Sequence, residues 1–116
     1  MKLMLRGDVY EASLNPVPGT EQGGVRPVVI VSRDANNRNS PVVIAVPFTG
    51  LENCPKIYPS QVVVKASEGG LTKDSVAMTE QVRAVSKKRL GKLLGRLAPE
   101  RMAGIPMALK IALDLD

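Results

Sequence analysis

Apolar and polar side chains alternate from Asp8 to Leu14, with Val9, Glu11 and Ser13 on one side and Tyr10, Ala12 and Leu14 on the other. That two-residue period predicts an amphipathic strand. Arg26 to Ser32 and Pro41 to Phe48 are instead continuous β-branched runs, which read as strands buried on both faces, joined by a polar turn over Arg33 to Ser40. Gln61 to Lys65 and Ser75 to Val85 predict two further strands, separated around Glu68, Gly69 and Gly70. Between Asn15 and Gly24, Pro and Gly punctuate a stretch with no period, so a loop of roughly ten residues is expected. Gly50 to Tyr58 predicts a second irregular loop.

From Ser86 onward the pattern changes. Leu90, Leu93, Leu94 and Leu97 permit a helix that Gly91 and Gly95 oppose, so a short helical turn followed by a last strand is expected over Lys87 to Leu97. Pro99 and Glu100 open a helix, because Pro fits the first turn and an acid suits the positive end of the dipole. Met102, Ile105, Leu109 and Leu113 form its apolar stripe, and Pro106 should kink or shorten it. Five or six short strands with one terminal helix predict a mainly β (α+β) chain: a small, strongly curved β-barrel with a helix packed across it.

At 116 residues the chain has room for one domain, here residues 1–116. A 44% hydrophobic and 23% charged composition excludes a disordered or collagen-like polymer. With no Trp, and only Tyr10, Phe48 and Tyr58 as aromatics, the core must be aliphatic and a nucleic-acid platform of stacked rings is disfavoured. Zero His removes the commonest general acid or base, and a single Cys54 gives neither an internal disulfide nor a zinc knuckle. No cofactor or metal is expected. The single Cys54, with no internal disulfide, predicts a cytoplasmic redox setting; the short apolar runs and the interruption of the first residues by Lys2, Arg6 and Asp8 predict neither a membrane span nor a signal peptide.

The net charge of +5 is unevenly spread. Arg83, Lys87, Lys88, Arg89, Lys92, Arg96 and Arg101 crowd one segment whose only acid is Glu100, while the chain before it is balanced. Such a segment is the footprint expected for a polyanionic partner, although a solvated face has the same composition.

The unusual stretch is Gly19-Thr20-Glu21-Gln22-Gly23-Gly24-Val25-Arg26-Pro27, where a carboxylate, an amide and a guanidinium stand on or beside the loop that enters a buried strand. Thr49 ends the next apolar strand. If those strands are neighbours, Arg26 and Thr49 share one rim of the sheet, a place suited to grip a phosphate by a bidentate fork and a hydroxyl. In attack of an RNA 2′-hydroxyl on its own phosphodiester, negative charge grows on the phosphoryl oxygens, and one pre-aimed donor is worth about 3–4 kcal/mol. Arg cannot readily take the 2′-proton, so Glu21, the carboxylate of the loop, is the candidate base, with its pKa lowered by Arg26. The spacing equally allows Glu21 and Arg26 simply to pair and pin the loop.

Arg6-Gly7-Asp8-Val9, the Glu21-Gln22-x-Gly-x-Arg26-Pro27 run, Val46-Pro47-Phe48-Thr49, Gly70-Leu71-Thr72-Lys73-Asp74-Ser75-Val76-Ala77 and Gln81-Val82-Arg83, in that order, resemble the MazF/PemK family of bacterial toxins across nearly the whole chain. The resemblance implies an SH3-like barrel with a C-terminal helix that dimerises. It further implies sequence-specific, metal-independent cleavage of single-stranded RNA. It makes Arg26 and Thr49 the active pair, gives Glu21 a catalytic place, and puts Gln22, Gln81, Arg83 and Lys56 against RNA. The partners it implies are single-stranded RNA (mRNA), an acidic MazE-like antitoxin and a second copy of the chain. Tyr10 stands where relatives often carry Trp, which thins base stacking. Two other readings compete: a non-catalytic toxin of the same fold that poisons a protein such as DNA gyrase, and a plain nucleic-acid-binding barrel, which the few aromatics disfavour.

Overall fold

The computed structural model describes residues 3–14 and 24–116. Seven antiparallel strands, β1 (Asp8–Ser13), β2 (Val25–Ile30), β3 (Val42–Gly50), β4 (Gln61–Val64), β5 (Ser75–Met78), β6 (Arg83–Ser86) and β7 (Leu90–Arg96), pair in the order β4-β5-β3-β2-β1-β7, with β6 also on β3. The helices are α1 (Asp34–Asn39), α2 (Pro99–Met102) and α3 (Gly104–Leu113). The expected β-rich chain with a terminal helix is what is found. No hydrogen-bonded ladder joins β4 to β7 among the described residues, so the expected barrel is not closed by strand pairing. The gap is covered by packing: the turn Glu68–Gly70 lies on β7, with Gly70 at φ 77° so near the Leu94 carbonyl that a Cβ would overlap it.

The strands expected to be buried on both faces are so. Val29, Val46 and Phe48 enter one core with Val9, Val64, Leu71, Met102 and Ile105. Val28, Ile30, Val43 and Ala45 enter a second with Tyr10, Ala12, Leu14 and Val85. Ile44 is the exception and is exposed.

Three expectations need correction. Arg33 to Ser40 is not merely a polar turn, because α1 forms there. It has Asp34 in its first turn and Arg38 in its last, and Asn37 is buried, exchanging side-chain hydrogen bonds with Ser32. Ser75 to Val85 is two strands. Both lie antiparallel on the same edge of β3, but the registers of β5 and β6 differ, and the 3 residues Thr79–Gln81 take up the offset as a 3-10 turn. The Thr79 hydroxyl and N–H both donate to Ser60, fixing that turn. The terminal helix is broken at Ala103, before Pro106, which has no N–H to give the carbonyl one turn back. Beyond the break Ile105 and Ala108 are buried and Leu109 packs on the core, whereas Leu113 is exposed. Over Lys87 to Leu97 the expected helical turn (Lys87–Arg89) and strand (β7) both form.

Tyr10 is 1% exposed and its hydroxyl finds no partner among the described residues. Burial, and then the charge of Asp8, raises its pKa above the usual phenol value. A raised folded-state pKa means that this contribution to stability is intact below about pH 10 and is lost as pH climbs through the folded value. Tyr10→Phe should therefore leave stability unchanged or raise it by up to about 1 kcal/mol at pH 8. Its advantage should widen above pH 10, as read by urea unfolding at both pH values.

Candidate active site

The ladder between β2 and β3 sets Val28 against Pro47, Val29 against Val46 and Ile30 against Ala45. Continued toward the strand ends, that register sets Arg26 opposite Thr49. Both line one cavity of about 270 Å³, together with Pro27, Phe48, Gly50, Asn53, Leu71, Thr72, Lys73 and Ser75. The Arg26 Nη1 donates to the Phe48 carbonyl at 3.0 Å, which holds the guanidinium beside the residue preceding Thr49. Thr49 is buried, and its Oγ1 accepts from Asn53 Nδ2 at 3.2 Å. A hydroxyl that accepts from an amide keeps its own hydrogen to donate elsewhere.

Behind this pair, β3 runs between β2 and β5, with Thr49 opposite Val76 and Gly50 opposite Ser75. Leu51 N–H donates to the Asp74 carbonyl at 3.0 Å, so the turn after β3 is tied to the segment before β5. Lys73 Nζ lies 2.9 Å from Glu52 Oε2 across that junction. The hydrogen bond from Lys73 is the main reason that the Glu52 carboxyl is held below the usual carboxylate range. A cavity below the roughly 300–1,000 Å³ of small-molecule pockets, walled by a guanidinium, an ammonium and hydroxyls, suits one tetrahedral anion.

Arg26 and Thr49 are thus brought together as the sequence required. Glu21 and Gln22, like most of the loop expected over Asn15 to Gly24, lie outside the described residues. Gln81 ends the turn after β5 and Arg83 opens β6 opposite Ala45, so neither lines the cavity. Lys56 is also outside it, with its Nζ 5.2 Å from the centre of the Tyr58 ring, and Tyr58 is 52% exposed. Asn53, Lys73 and Ser75 were not singled out as site residues. Asn53 belongs to a loop with no period, and the others reach the cavity only through the β3–β5 pairing. Among the described residues no group of three His, Cys, Asp or Glu could hold a metal, and no helix is long and apolar enough to cross a membrane.

The basic segment is partly neutralised within the fold. Arg96 Nη1 is 2.9 Å from Asp8 Oδ1, and Arg101 binds both carboxylate oxygens of Glu68. Within the footprint expected over Arg83 to Arg101, Arg96 and Arg101 are thus paired with acids of the fold.

Residues 5–113 match the sequence model of the family described as PemK-like, MazF-like toxin of type II toxin-antitoxin system. The chain belongs to that family. Among solved structures it is similar to an endoribonuclease from a mycobacterial species, at 31% identity over 99% of this chain and 95% of that one, with TM-score 0.79. It is also similar to a mycobacterial endoribonuclease in complex with its cognate antitoxin, at 32% identity over 97% and 96%, with TM-score 0.76. A MazF from Deinococcus radiodurans shares the fold at TM-score 0.83 with 24% identity, over 99% of this chain and 100% of that one.

In this MazF-like chain, Thr49→Val keeps the side-chain shape but deletes the acceptor of Asn53. Unfolding in denaturant should show a loss of about 1 kcal/mol, and Thr49→Ser should retain most of the stability.

Proposed function

We propose that this chain is an endoribonuclease toxin that cuts single-stranded RNA at particular sequences, without a metal, by attack of a ribose 2′-hydroxyl on the adjacent phosphodiester. One observation carries the reading: Arg26 and Thr49, from neighbouring strands, line the same cavity. As the phosphorane forms, charge gathers on the phosphoryl oxygens; Arg26 and the Thr49 hydroxyl stabilise it, and their pre-set positions avoid reorganisation during the reaction. Glu21 takes the 2′-proton, the P–O5′ bond breaks to leave a 2′,3′-cyclic phosphate, and the departing 5′-oxygen takes a proton from water to become the 5′-hydroxyl; Gln22, Gln81, Arg83 and Lys56 contact flanking RNA.

The reading extends to partners and setting. An acidic antitoxin segment neutralises the toxin, attracted by the cations of the Lys87–Lys92 region and by the cavity; the mycobacterial relative bound to its antitoxin supports this. The protein acts in the cytoplasm, where mRNA is found. It works as a homodimer, in keeping with an apolar stripe on α3 where Met107 and Ile111 are 62% and 53% exposed.

Purified protein incubated with a long RNA in EDTA should yield discrete fragments with 5′-hydroxyl ends. Arg26→Ala should slow cleavage by about 100- to 1,000-fold, and equal cutting by that variant would falsify the assignment. Thr49→Val should fall further below wild type than Thr49→Ser does. Separately, Ile111→Glu should shift the sedimentation coefficient from that of a dimer toward that of a monomer; an unchanged value would remove α3 from the interface.

A further inference from the structure

Arg26 and Lys73 are the charged side chains among the residues that line the cavity, and they stand differently. Arg26 is braced by a backbone carbonyl, whereas Lys73 is held by another side chain, Glu52. The Glu52 carboxylate lies over Gly50, close enough that a Cβ on that glycine would overlap it, so it stands beside a lining residue without itself lining the cavity. The frame beneath is fixed by the Leu51–Asp74 backbone bond. The heads are not: the side chains of Lys73 and Glu52 are 60% and 61% exposed. An ion pair so exposed is weak and easily exchanged.

We propose that Lys73 is a further RNA-phosphate contact of this site and that Glu52 is the counter-ion it exchanges for that phosphate, a brake on RNA binding built into the free protein. The inference rests on the phosphodiester reading above. An RNA strand seated with one phosphate at Arg26 and Thr49 carries a neighbouring phosphate on the same short tether, so the second contact costs little additional entropy. A protein carboxylate would only replace Glu52 with its chemical equal, and for that reason RNA is the favoured occupant. The exchange has a signature: with the Glu52 charge removed, Lys73 contributes a full phosphate contact without first giving up its counter-ion.

The test uses the full chain and a mixed-sequence single-stranded RNA with 2′-O-methyl riboses, which lacks the attacking hydroxyl and so reports binding alone. Affinity is read by fluorescence anisotropy across a salt series for wild type, Lys73→Gln, Glu52→Gln and the double variant. Lys73→Gln should weaken binding and flatten the plot of log affinity against log salt by up to about 0.7, the value of one single-strand phosphate contact. Glu52→Gln should tighten binding by about 2- to 5-fold at low salt, and most of that gain should vanish when Lys73→Gln is added. Lys73→Arg, which keeps the charge, should restore the slope. An unchanged slope in Lys73→Gln overturns the proposal. So does a Glu52→Gln gain that is the same with and without Lys73, since Glu52 would then act by repulsion alone. If the variants alter binding of a poly-glutamate peptide but not of RNA, the site serves a protein anion and the proposal also falls. Cleavage of unmodified RNA is scored in parallel. A wild type that shows the predicted binding pattern but does not cut sinks the nuclease reading and leaves the Lys73 contact standing, whereas cutting that depends on Arg26 with no Lys73 effect does the reverse.

Discussion

The pairing register of β2 on β3 is the constraint from which the site follows, and hydrophobic alternation does not fix it. In a strand with one wet face, a slip of one residue would turn the apolar set toward water. Here Val28 and Ile30 face one core while Val29 faces another, so a slip would exchange one valine-rich face for the other. Polar anchors supply the missing specification. At one end of β2 the Ser32 hydroxyl accepts from the Ile44 N–H at 3.0 Å, and at the other Arg26 donates to the Phe48 carbonyl. The guanidinium proposed to meet RNA is therefore also a clamp on the register that places Thr49 beside it. Pro47, which has no N–H to give, falls where the far edge of β3 passes from β6 to β5.

Charge is distributed by the fold rather than by sequence proximity. Asp8 takes Arg96 from the basic segment across the β1–β7 pair, and Glu68 takes Arg101 in a bidentate grip. Both pairs seal the side of the sheet where β7 and the Glu68–Gly70 turn meet. Lys87, Lys88 and Lys92 lie in the same basic segment, on the turn before β7 and on β7 itself. Under the proposed function, a field made this way steers an RNA strand through exposed charge, which salt screens, toward the partly buried Arg26, where salt screens less.

Much of this was legible in the chain because it depends on local pattern. Doubly buried strands announce themselves as unbroken β-branched runs, and Arg26 and Thr49 stand at the ends of two such runs, so neighbouring strands were enough to unite them. The helix α1 was not legible. It is short and polar, without an apolar period, and the Asn37–Ser32 hydrogen bonds that hold it are tertiary. Nor was the split between β5 and β6, which exists only because both share one edge of β3 in different registers. The neutralisation of Arg96 joins residues 88 apart in sequence, a distance at which composition says nothing about pairing. Lys73 and Ser75 reach the cavity by the same route, through the β3–β5 neighbours that no spacing rule indicates, and Asn53 through the turn that follows β3.

The chemistry assigned to the cavity also has a consequence for the proton. Its described lining offers a guanidinium, an ammonium, an amide and hydroxyls, none of them a ready base near neutral pH. The Glu52 carboxylate, beside the lining residue Gly50, is held below the usual range by Lys73, and a carboxylate so stabilised accepts a proton with less driving force. Under the proposed function the base must then come from outside that described lining. Cations gathered to grip a phosphoryl group also weaken a carboxylate beside them as a base, as Lys73 does to Glu52, so the described lining favours charge stabilisation over proton transfer.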